Sequence, residues 1–264
     1  MQRMIKIIAV LIIIYLLAIL ILFLLQDKIV FHNVKLPQNH TFRLPQKFDE
    51  VNLNTIDKKV LNALHFKVEN PKGVLLYFHG NAGNLDRWGK ITGYFTKFDY
   101  DVFVVDYRSY GKSTGDFNEK RMYEDAQLCY DYLKEKYSED RISIYGRSLG
   151  CTFAIKVASQ NKPKQLILEA PFYNLKNVAK YHYPYVPYGF LLKYKFTSNK
   201  YIKNVTCKIT IFHGTKDKVI PIKSSKKLAS NANNKTKYIV IENGTHHNLF
   251  DFENYQTTIA KILK

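Results

Sequence analysis

Residues 142–150 read ISIYGRSLG, an apolar run followed by a serine between two glycines. The run Ile142–Tyr145 is typical of a buried strand, and the stretch Leu149–Ser159 after it is compatible with a helix. A serine nucleophile on a strand-to-helix turn needs this context, because the sharp turn exposes the hydroxyl. The stretch therefore predicts a serine enzyme built on alternating strands and helices.

Two glycines make the predicted turn possible. Gly146 and Gly150 allow the backbone to bend tightly on either side of Ser148, which lifts its hydroxyl out of the chain. The amide of Leu149, at the start of the following helix, then faces the oxyanion that an attack by Ser148 creates. We expect Ser148 to be the nucleophile and Leu149 to supply one oxyanion donor.

Apolar runs alternate with amphipathic stretches over most of the remaining chain. The predicted strands are Leu61–Val68, Val74–Phe78, Val102–Asp106, Ile142–Tyr145, Leu166–Leu168, Ile209–Phe212 and Tyr238–Ile241. The predicted helices are Asp86–Phe98, Glu119–Tyr137, Leu149–Ser159, Pro221–Ala232 and Phe250–Leu263. This alternation predicts an α/β fold, with a mostly parallel central sheet and helices on both faces. In such a sheet the functional site lies beyond the carboxyl ends of the strands.

Two other predicted strand ends carry the base and the carboxylate that a serine nucleophile requires. Asp217 follows the strand Ile209–Phe212, and His246 and His247 follow the strand Tyr238–Ile241. The chain order serine, acid, histidine is the one expected on a sheet of this type. Taken alone, Asp217 is equally consistent with a turn residue, and a loop histidine with a surface residue. The residues themselves leave open which histidine is the base.

The loop after the strand Val74–Phe78 reads HGNAGN, residues 79–84. Its glycines permit a sharp turn that directs the backbone amide of Asn81 into the site as a second oxyanion donor. The alternative, a phosphate cradle, requires the Gly-Lys-Ser/Thr ending of a P-loop, which this loop lacks. The chain also has no G-x-G-x-x-G fingerprint, and we expect neither a metal nor an organic cofactor.

Composition limits the other classes of function. The 264 residues suffice for one larger domain, and the three cysteines are too few for a disulfide framework. The formal charge of +18 comes from 33 lysines and 7 arginines that are scattered along the chain. Nucleic-acid recognition favours clustered arginine, interleaved aromatic residues or a known module, so we expect no nucleic-acid partner.

The amino terminus has the pattern of a membrane anchor. Nineteen consecutive uncharged residues run from Ile7 to Leu25, long enough to span roughly 28 Å as a helix. Arg3 and Lys6 precede this run, which predicts a cytoplasmic amino terminus and a catalytic domain on the far side, in a periplasm or lumen. The alternative is a cleaved secretory signal, but no small-x-small cleavage site follows Leu25.

The predicted organisation has three parts. Residues 1–28 form the transmembrane anchor, residues 29–50 an extended connector, and residues 51–264 the catalytic domain. Between Phe172 and Val205 the chain has room only for a minimal cap. Aromatic residues in this segment either line an acyl-binding slot or pack on the sheet: Tyr181, Tyr183, Tyr185, Tyr188 and Phe190.

Several motifs together resemble the α/β-hydrolase superfamily, and within it the membrane-anchored Bem-like and ABHD-like serine hydrolases. They are LLYFHGNAGN (75–84), DYRSYGKSTG (106–115), GRSLG (146–150), LEAPF (168–172), HGTKDKVIP (213–221) and GTHHNL (244–249). The resemblance covers most of the chain after Val30. This chain differs from those relatives at Ser109, where they usually have glycine.

The resemblance implies an α/β-hydrolase fold and a role for each site residue. It implies Ser148 as nucleophile, Asp217 as acid, and Asn81 and Leu149 as oxyanion donors. Relatives often have an apolar residue three positions after the catalytic histidine, which favours His246 as the base and leaves His247 as the second candidate.

The expected activity is the cleavage of carboxylic esters or thioesters through an acyl-enzyme intermediate. The expected substrate is a small-molecule or lipid-like acyl compound. Two alternatives remain open, a serine peptidase of the aminopeptidase kind and a non-catalytic, membrane-tethered scaffold. The sequence does not define an oligomeric state.

Overall fold

The computed structural model describes residues 1–264, except for the side chain of Phe190. In chain order its strands are β1 (His32–Asn33), β2 (Phe48–Asn54), β3 (Val60–Phe66), β4 (Gly73–Phe78), β5 (Ala82–Gly83), β6 (Tyr100–Val105), β7 (Ile142–Arg147), β8 (Gln165–Glu169), β9 (Lys208–Gly214) and β10 (Thr236–Ile241). Its helices are α1 (Gln2–Leu24), α2 (Gln26–Val30), α3 (Leu85–Thr92), α4 (Glu119–Lys134), α5 (Gly150–Ala158), α6 (Leu175–His182), α7 (Tyr188–Leu191), α8 (Ser198–Tyr201), α9 (Ile222–Ala229) and α10 (Glu253–Ile262).

The central sheet has the strand order β10-β9-β8-β7-β4-β6-β3-β2. The strands from β10 to β6 pair in parallel, whereas β3 pairs antiparallel with both β6 and β2. The strongly apolar strands β4, β6 and β8 are buried along their whole length, because helices cover both faces of the sheet. This arrangement confirms the predicted α/β class and its mostly parallel sheet.

Strand β4 contributes to a separate core on each face of the sheet. Val74, Leu76 and Phe78 pack into a cluster that contains residues of α4 and α5. Leu75 and Tyr77 point to the opposite face and pack with residues of α3 and α10. The alternation of side chains along a strand therefore supplies both layers of the fold.

Three features differ from the sequence-based expectations. Strand β2 begins at Phe48, inside the expected connector, and its polar sequence FDEVNLN suits an edge strand better than a buried one. The rest of the segment 29–50 is packed on the domain, since the Phe31 and Phe42 side chains are buried in the two cores. The end of the predicted helix Asp86–Phe98 is a short 3-10 helix over Gly93–Phe98.

Ser109 occupies a backbone conformation that favours glycine. Its φ is +65°, in the left-handed region, and its hydroxyl donates a hydrogen bond of 2.7 Å to the carbonyl of Gly115. The neighbouring Arg108 is buried and pairs with Asp57 at 2.8 Å and with Asp125 at 2.5 Å. These polar contacts hold the loop that contains Ser109 and Arg108.

Helix α1 is long and apolar enough to cross a membrane, with 23 residues and a mean hydropathy of 3.5 over its best window. At about 1.5 Å per residue it is roughly 35 Å long, comparable to a bilayer. A core helix and an amino-terminal signal sequence have the same length and composition, and the core helix is excluded because none of the residues of α1 is buried. The amino-terminal region is therefore a candidate membrane span.

Titration of His65 is expected to lower the stability of the domain in acid. Burial, together with the nearby charge of Lys67, lowers the pKa of His65 to about 4, and its ring packs edge-on against Phe103. Between pH 6.5 and pH 4 the unfolded chain therefore binds a proton at this residue that the folded chain excludes. Folding stability falls as pH falls through this window, by about 3 kcal/mol in total.

Thermal unfolding of the detergent-solubilised full chain over pH 4–8 measures this effect. The His65→Gln variant, which cannot titrate, should lose less stability than the wild type between pH 6.5 and pH 4. A difference between the two proteins that stays constant with pH would show that the imidazole titrates normally.

Candidate active site

The turn between β7 and α5 holds Ser148 in a strained conformation. Its φ is +52°, a region that residues with a side chain seldom adopt. The backbone amide of Ser148 donates a hydrogen bond of 2.8 Å to the carbonyl of Glu169, at the end of β8. The strain and the anchoring bond place the serine at the carboxyl edge of the sheet, as the sequence predicts.

Neither flanking glycine has room for a side chain. A Cβ atom on Gly146 would lie 2.7 Å from the Cβ of Ala154 and from the Cα of Cys151. A Cβ atom on Gly150 would lie 2.0 Å from the carbonyl oxygen of Phe78, at the end of β4. The elbow is therefore packed directly against the neighbouring strand and its own helix.

Three predicted residues meet in one hydrogen-bonded series. The Nε2 atom of His246 lies 3.0 Å from the Oγ atom of Ser148, and its Nδ1 atom lies 2.7 Å from Oδ2 of Asp217. All three side chains are buried. The adjacent His247 is exposed, with its ring centre 5.2 Å from that of His246, so His246 is the histidine in contact with the serine.

Asp217 is fixed in position by both of its oxygens. Its Oδ1 atom accepts hydrogen bonds of 2.8 Å from the backbone amides of Val219 and Ile220. Burial alone would raise the pKa of Asp217, but hydrogen bonds from His213 and His246 outweigh it and hold the pKa well below its usual range. An ionised carboxylate only accepts hydrogen bonds, so the proton of the His246 ring lies on Nδ1 and Nε2 is free to accept one.

His213 contacts the same carboxylate, and the sequence analysis did not identify it. Its Nε2 atom donates to the carbonyl of Ile220 at 2.9 Å and lies 3.3 Å from Oδ2 of Asp217. The side chain is fully buried at the end of β9. A histidine four residues before the acid, within the motif HGTKD, was the available signal.

Asn81 and Leu149 both line the cavity that contains Ser148. Neither backbone amide donates to another backbone or side-chain group among the residues the structure describes. Leu149 precedes the first turn of α5, where the helix dipole favours negative charge. The two amides are thus available to a developing oxyanion, the function expected of them.

The loop that carries Asn81 is held by the segment after the anchor. The carbonyl of Asn81 accepts hydrogen bonds from the amide of His32 at 3.0 Å and from the hydroxyl of Tyr110 at 2.7 Å. Its side-chain amide donates to the carbonyl of Val30 at 3.0 Å. The short parallel pair β1–β5 continues this contact. The chain that follows α1 therefore holds in place one of the two residues expected to supply oxyanion donors.

Ser148 opens into a cavity of about 330 Å³, a volume within the range of small-molecule sites. Of the aromatic residues expected near a slot, Tyr183 and Tyr188 line the cavity, whereas Tyr181 and Tyr185 do not. The Phe190 side chain lies outside the described residues.

Most of the cavity lining is apolar, for example Phe172, Leu175, Val178, Leu192 and Val219. Among the described residues that line the cavity there is no aspartate or glutamate.

Comparison with known proteins relates the chain to a family of hydrolases. Residues 69–199 match the family described as serine aminopeptidase, S33. The uncharacterized protein R595 of Acanthamoeba polyphaga mimivirus is 33% identical over 243 residues, which cover 83% of this chain and 82% of that protein.

Two further relatives carry names. The lysophosphatidylserine lipase ABHD12 of Macaca fascicularis is 32% identical over 181 residues, which cover 60% of this chain and 44% of that protein. Protein bem46 of Schizosaccharomyces pombe is 31% identical over 186 residues, which cover 66% of this chain and 62% of that protein.

Solved structures support the same fold. The esterase Pf2001 of Pyrococcus furiosus superimposes with a TM-score of 0.69, covering 87% of this chain and 98% of that one at 18% identity. At this identity the likeness concerns the fold alone. The sequence relatives and the shared architecture show that this chain belongs to the α/β-hydrolase superfamily, in the group that includes bem46 and ABHD12.

Proposed function

We propose that the protein is a membrane-anchored serine hydrolase that cleaves carboxylic esters or thioesters of acyl-chain, lipid-like substrates. The observation that carries the proposal is the hydrogen-bonded series of Ser148, His246 and Asp217, in which Ser148 lines a mostly apolar cavity. Such a series converts a weakly nucleophilic hydroxyl into an attacking group.

In the acylation step, Oγ of Ser148 forms a bond to the carbonyl carbon while Nε2 of His246 takes the hydroxyl proton. The carbonyl electrons move to the oxygen, which receives hydrogen bonds from the amides of Asn81 and Leu149. The intermediate then breaks its C–O or C–S bond, and the alcohol or thiol leaves with the proton from His246. Asp217 remains ionised and stabilises the imidazolium.

In the deacylation step, water replaces the departed alcohol or thiol. His246 takes one proton from the water, and the oxygen adds to the acyl carbon. The second intermediate breaks its bond to Oγ of Ser148, which regains the proton from His246. The carboxylic acid is released and the enzyme returns to its starting state.

The cavity lining favours acyl esters over aminopeptidase substrates. An aminopeptidase must bind the ammonium group of its substrate, and a carboxylate is the usual partner for a desolvated cation. The described lining residues offer no carboxylate, whereas their apolar side chains suit an acyl chain. The name of one similar protein, a lysophosphatidylserine lipase, supports the same substrate class.

A panel of p-nitrophenyl esters and aminoacyl-naphthylamides tests the activity. We expect ester cleavage that falls by about 10³-fold or more in Ser148→Ala, because the nucleophile is lost. A fluorophosphonate probe should label the wild type and not the variant. Equal labelling of both proteins would contradict the assignment of Ser148, and faster cleavage of the naphthylamides would favour a peptidase. A folded wild-type protein that neither turns over any substrate nor reacts with the probe would instead favour the scaffold.

The adjacent histidines provide a matched test of the base. His246→Ala should lower kcat for ester cleavage by about 10³-fold or more, since Ser148 loses its proton acceptor. His247→Ala removes an exposed ring next to it and should retain activity within about threefold. Steady-state kinetics of both variants measure the difference, and a reversed pattern would assign the base to His247.

We also infer that the amino terminus faces the cytoplasm and the catalytic domain lies across the membrane. Arg3 and Lys6 flank the amino end of α1, and positive residues favour the cytoplasmic side. When the full chain is expressed in a bacterium, a tag placed after Lys264 should be accessible to antibody on intact spheroplasts, and a tag before Met1 only after permeabilisation. The opposite accessibility would reverse the orientation.

A further inference from the structure

One face of the anchor helix is turned toward the catalytic domain. Ile19, Leu22 and Phe23 are partly buried, whereas most other residues of α1 are exposed. The spacing i, i+3, i+4 puts these side chains on one stripe of the helix, and the buried Gln26 continues the stripe into α2. The stripe identifies the side of the anchor that contacts protein.

This stripe borders the cavity of Ser148. Ile19, Leu22, Phe23 and Gln26 line the same 330 Å³ space as the serine and its oxyanion donors. Ile19 and Phe23 are four residues apart, so this wall extends about 6 Å along the helix axis. The active-site cavity therefore reaches into the last turns of the membrane-spanning segment.

The opposite wall is the cap formed by α6 and α7, and this cap also follows the anchor into the membrane region. The hydroxyl of Tyr15 donates a hydrogen bond of 3.0 Å to the carbonyl of Tyr185. Tyr15 lies nine residues before the end of α1 at Leu24, about 13 Å along its axis. The cap thus lies beside the part of α1 that one leaflet would surround.

The exposed surface of the cap is suited to a lipid interface. The side chains of Tyr181, Tyr183 and Tyr185 are 55%, 49% and 88% exposed and come from the segment YHYPY. Tyrosine is enriched where membrane and water meet, because its ring is apolar and its hydroxyl is polar. These exposed tyrosines therefore suit contact with a bilayer around α1.

The anchor is joined rigidly to the cap at its carboxyl end. The side chain of Gln26 donates to the carbonyl of Leu191 at 2.5 Å and accepts from the amide of Lys193 at 2.8 Å. The hydroxyl of Tyr194 donates to Asp27 at 2.9 Å. These bonds fix the stripe relative to Ser148, as a wall of a binding site requires.

We propose that α1 forms one wall of the acyl-binding site, and that the substrate is a long-chain acyl ester or thioester resident in the bilayer. Its chain enters sideways between α1 and the cap, which brings the carbonyl to Ser148. A chain that follows this route stays in apolar surroundings, whereas each methylene taken through water would weaken binding about fourfold. The inference rests on the proposed hydrolase activity and adds the source and route of the substrate.

Two neighbouring tryptophan variants of the anchor test the wall. Leu22→Trp fills the cavity side of α1, and Ile21→Trp places the same ring on an exposed position of the same turn. The full chain is reconstituted in phosphatidylcholine vesicles and assayed with p-nitrophenyl butanoate and dodecanoate. The readout is the ratio of kcat/KM for dodecanoate to that for butanoate.

The ratio should fall by roughly fifteenfold in Leu22→Trp, because about two methylene groups lose their buried contacts. Ile21→Trp should keep the ratio of the wild type within about twofold. Leu22→Ala is the complementary test, since a wider slot should shift the preferred acyl chain toward hexadecanoate. Labelling by a fluorophosphonate probe verifies that each variant is folded.

An unchanged ratio in Leu22→Trp, or an equal fall in both tryptophan variants, would overturn the inference. If Leu22→Trp does not fold, an unshifted chain-length profile in Leu22→Ala has the same meaning. Wild-type protein that cleaves neither ester and is not labelled would instead reject the proposed hydrolase activity.

Discussion

The geometry of the site depends on a single close contact between backbones. Gly150, at the start of α5, lies so near the carbonyl of Phe78 that a methyl group would approach it to 2.0 Å. Because Leu149 precedes Gly150 and Asn81 follows Phe78 by three residues, this contact brings both residues to the cavity that Ser148 lines. A side chain at position 150 would separate the elbow from β4 and move the two donors apart.

The parallel sheet explains how distant residues meet. Strands β7, β8, β9 and β10 are neighbours and run in the same direction, so the loops after them share one edge. Ser148, Asp217 and His246 each follow one of these strands. The sheet sets the approximate separation of the three groups, and local bonds set the rest, such as those from Val219 and Ile220 to the carboxylate.

Much of the fold could be predicted because its signals are local. The buried strand before Ser148 is a continuous apolar run, and the glycines beside the serine mark the turn. Strand β2 was not predicted because an edge strand needs no apolar run. The burial of Phe31 was not predicted because nothing near this residue in the sequence indicates that its ring stacks on Phe117, with 4.0 Å between the ring centres. The cavity face of α1 likewise depends on tertiary packing, which no spacing in the chain encodes.

Because α1 lines the cavity, a soluble form of the protein without α1 would have a different binding site. Deleting the first 25 residues is the usual way to obtain a single-pass enzyme free of detergent, on the premise that the anchor is only a tether. Here the deletion would also remove one wall of the cavity, since Ile19, Leu22 and Phe23 are part of its lining. In a truncated protein, Ser148 would be exposed to bulk water on the side where α1 is missing. The substrate selectivity measured for that protein would therefore belong to a different binding surface from that of the full chain.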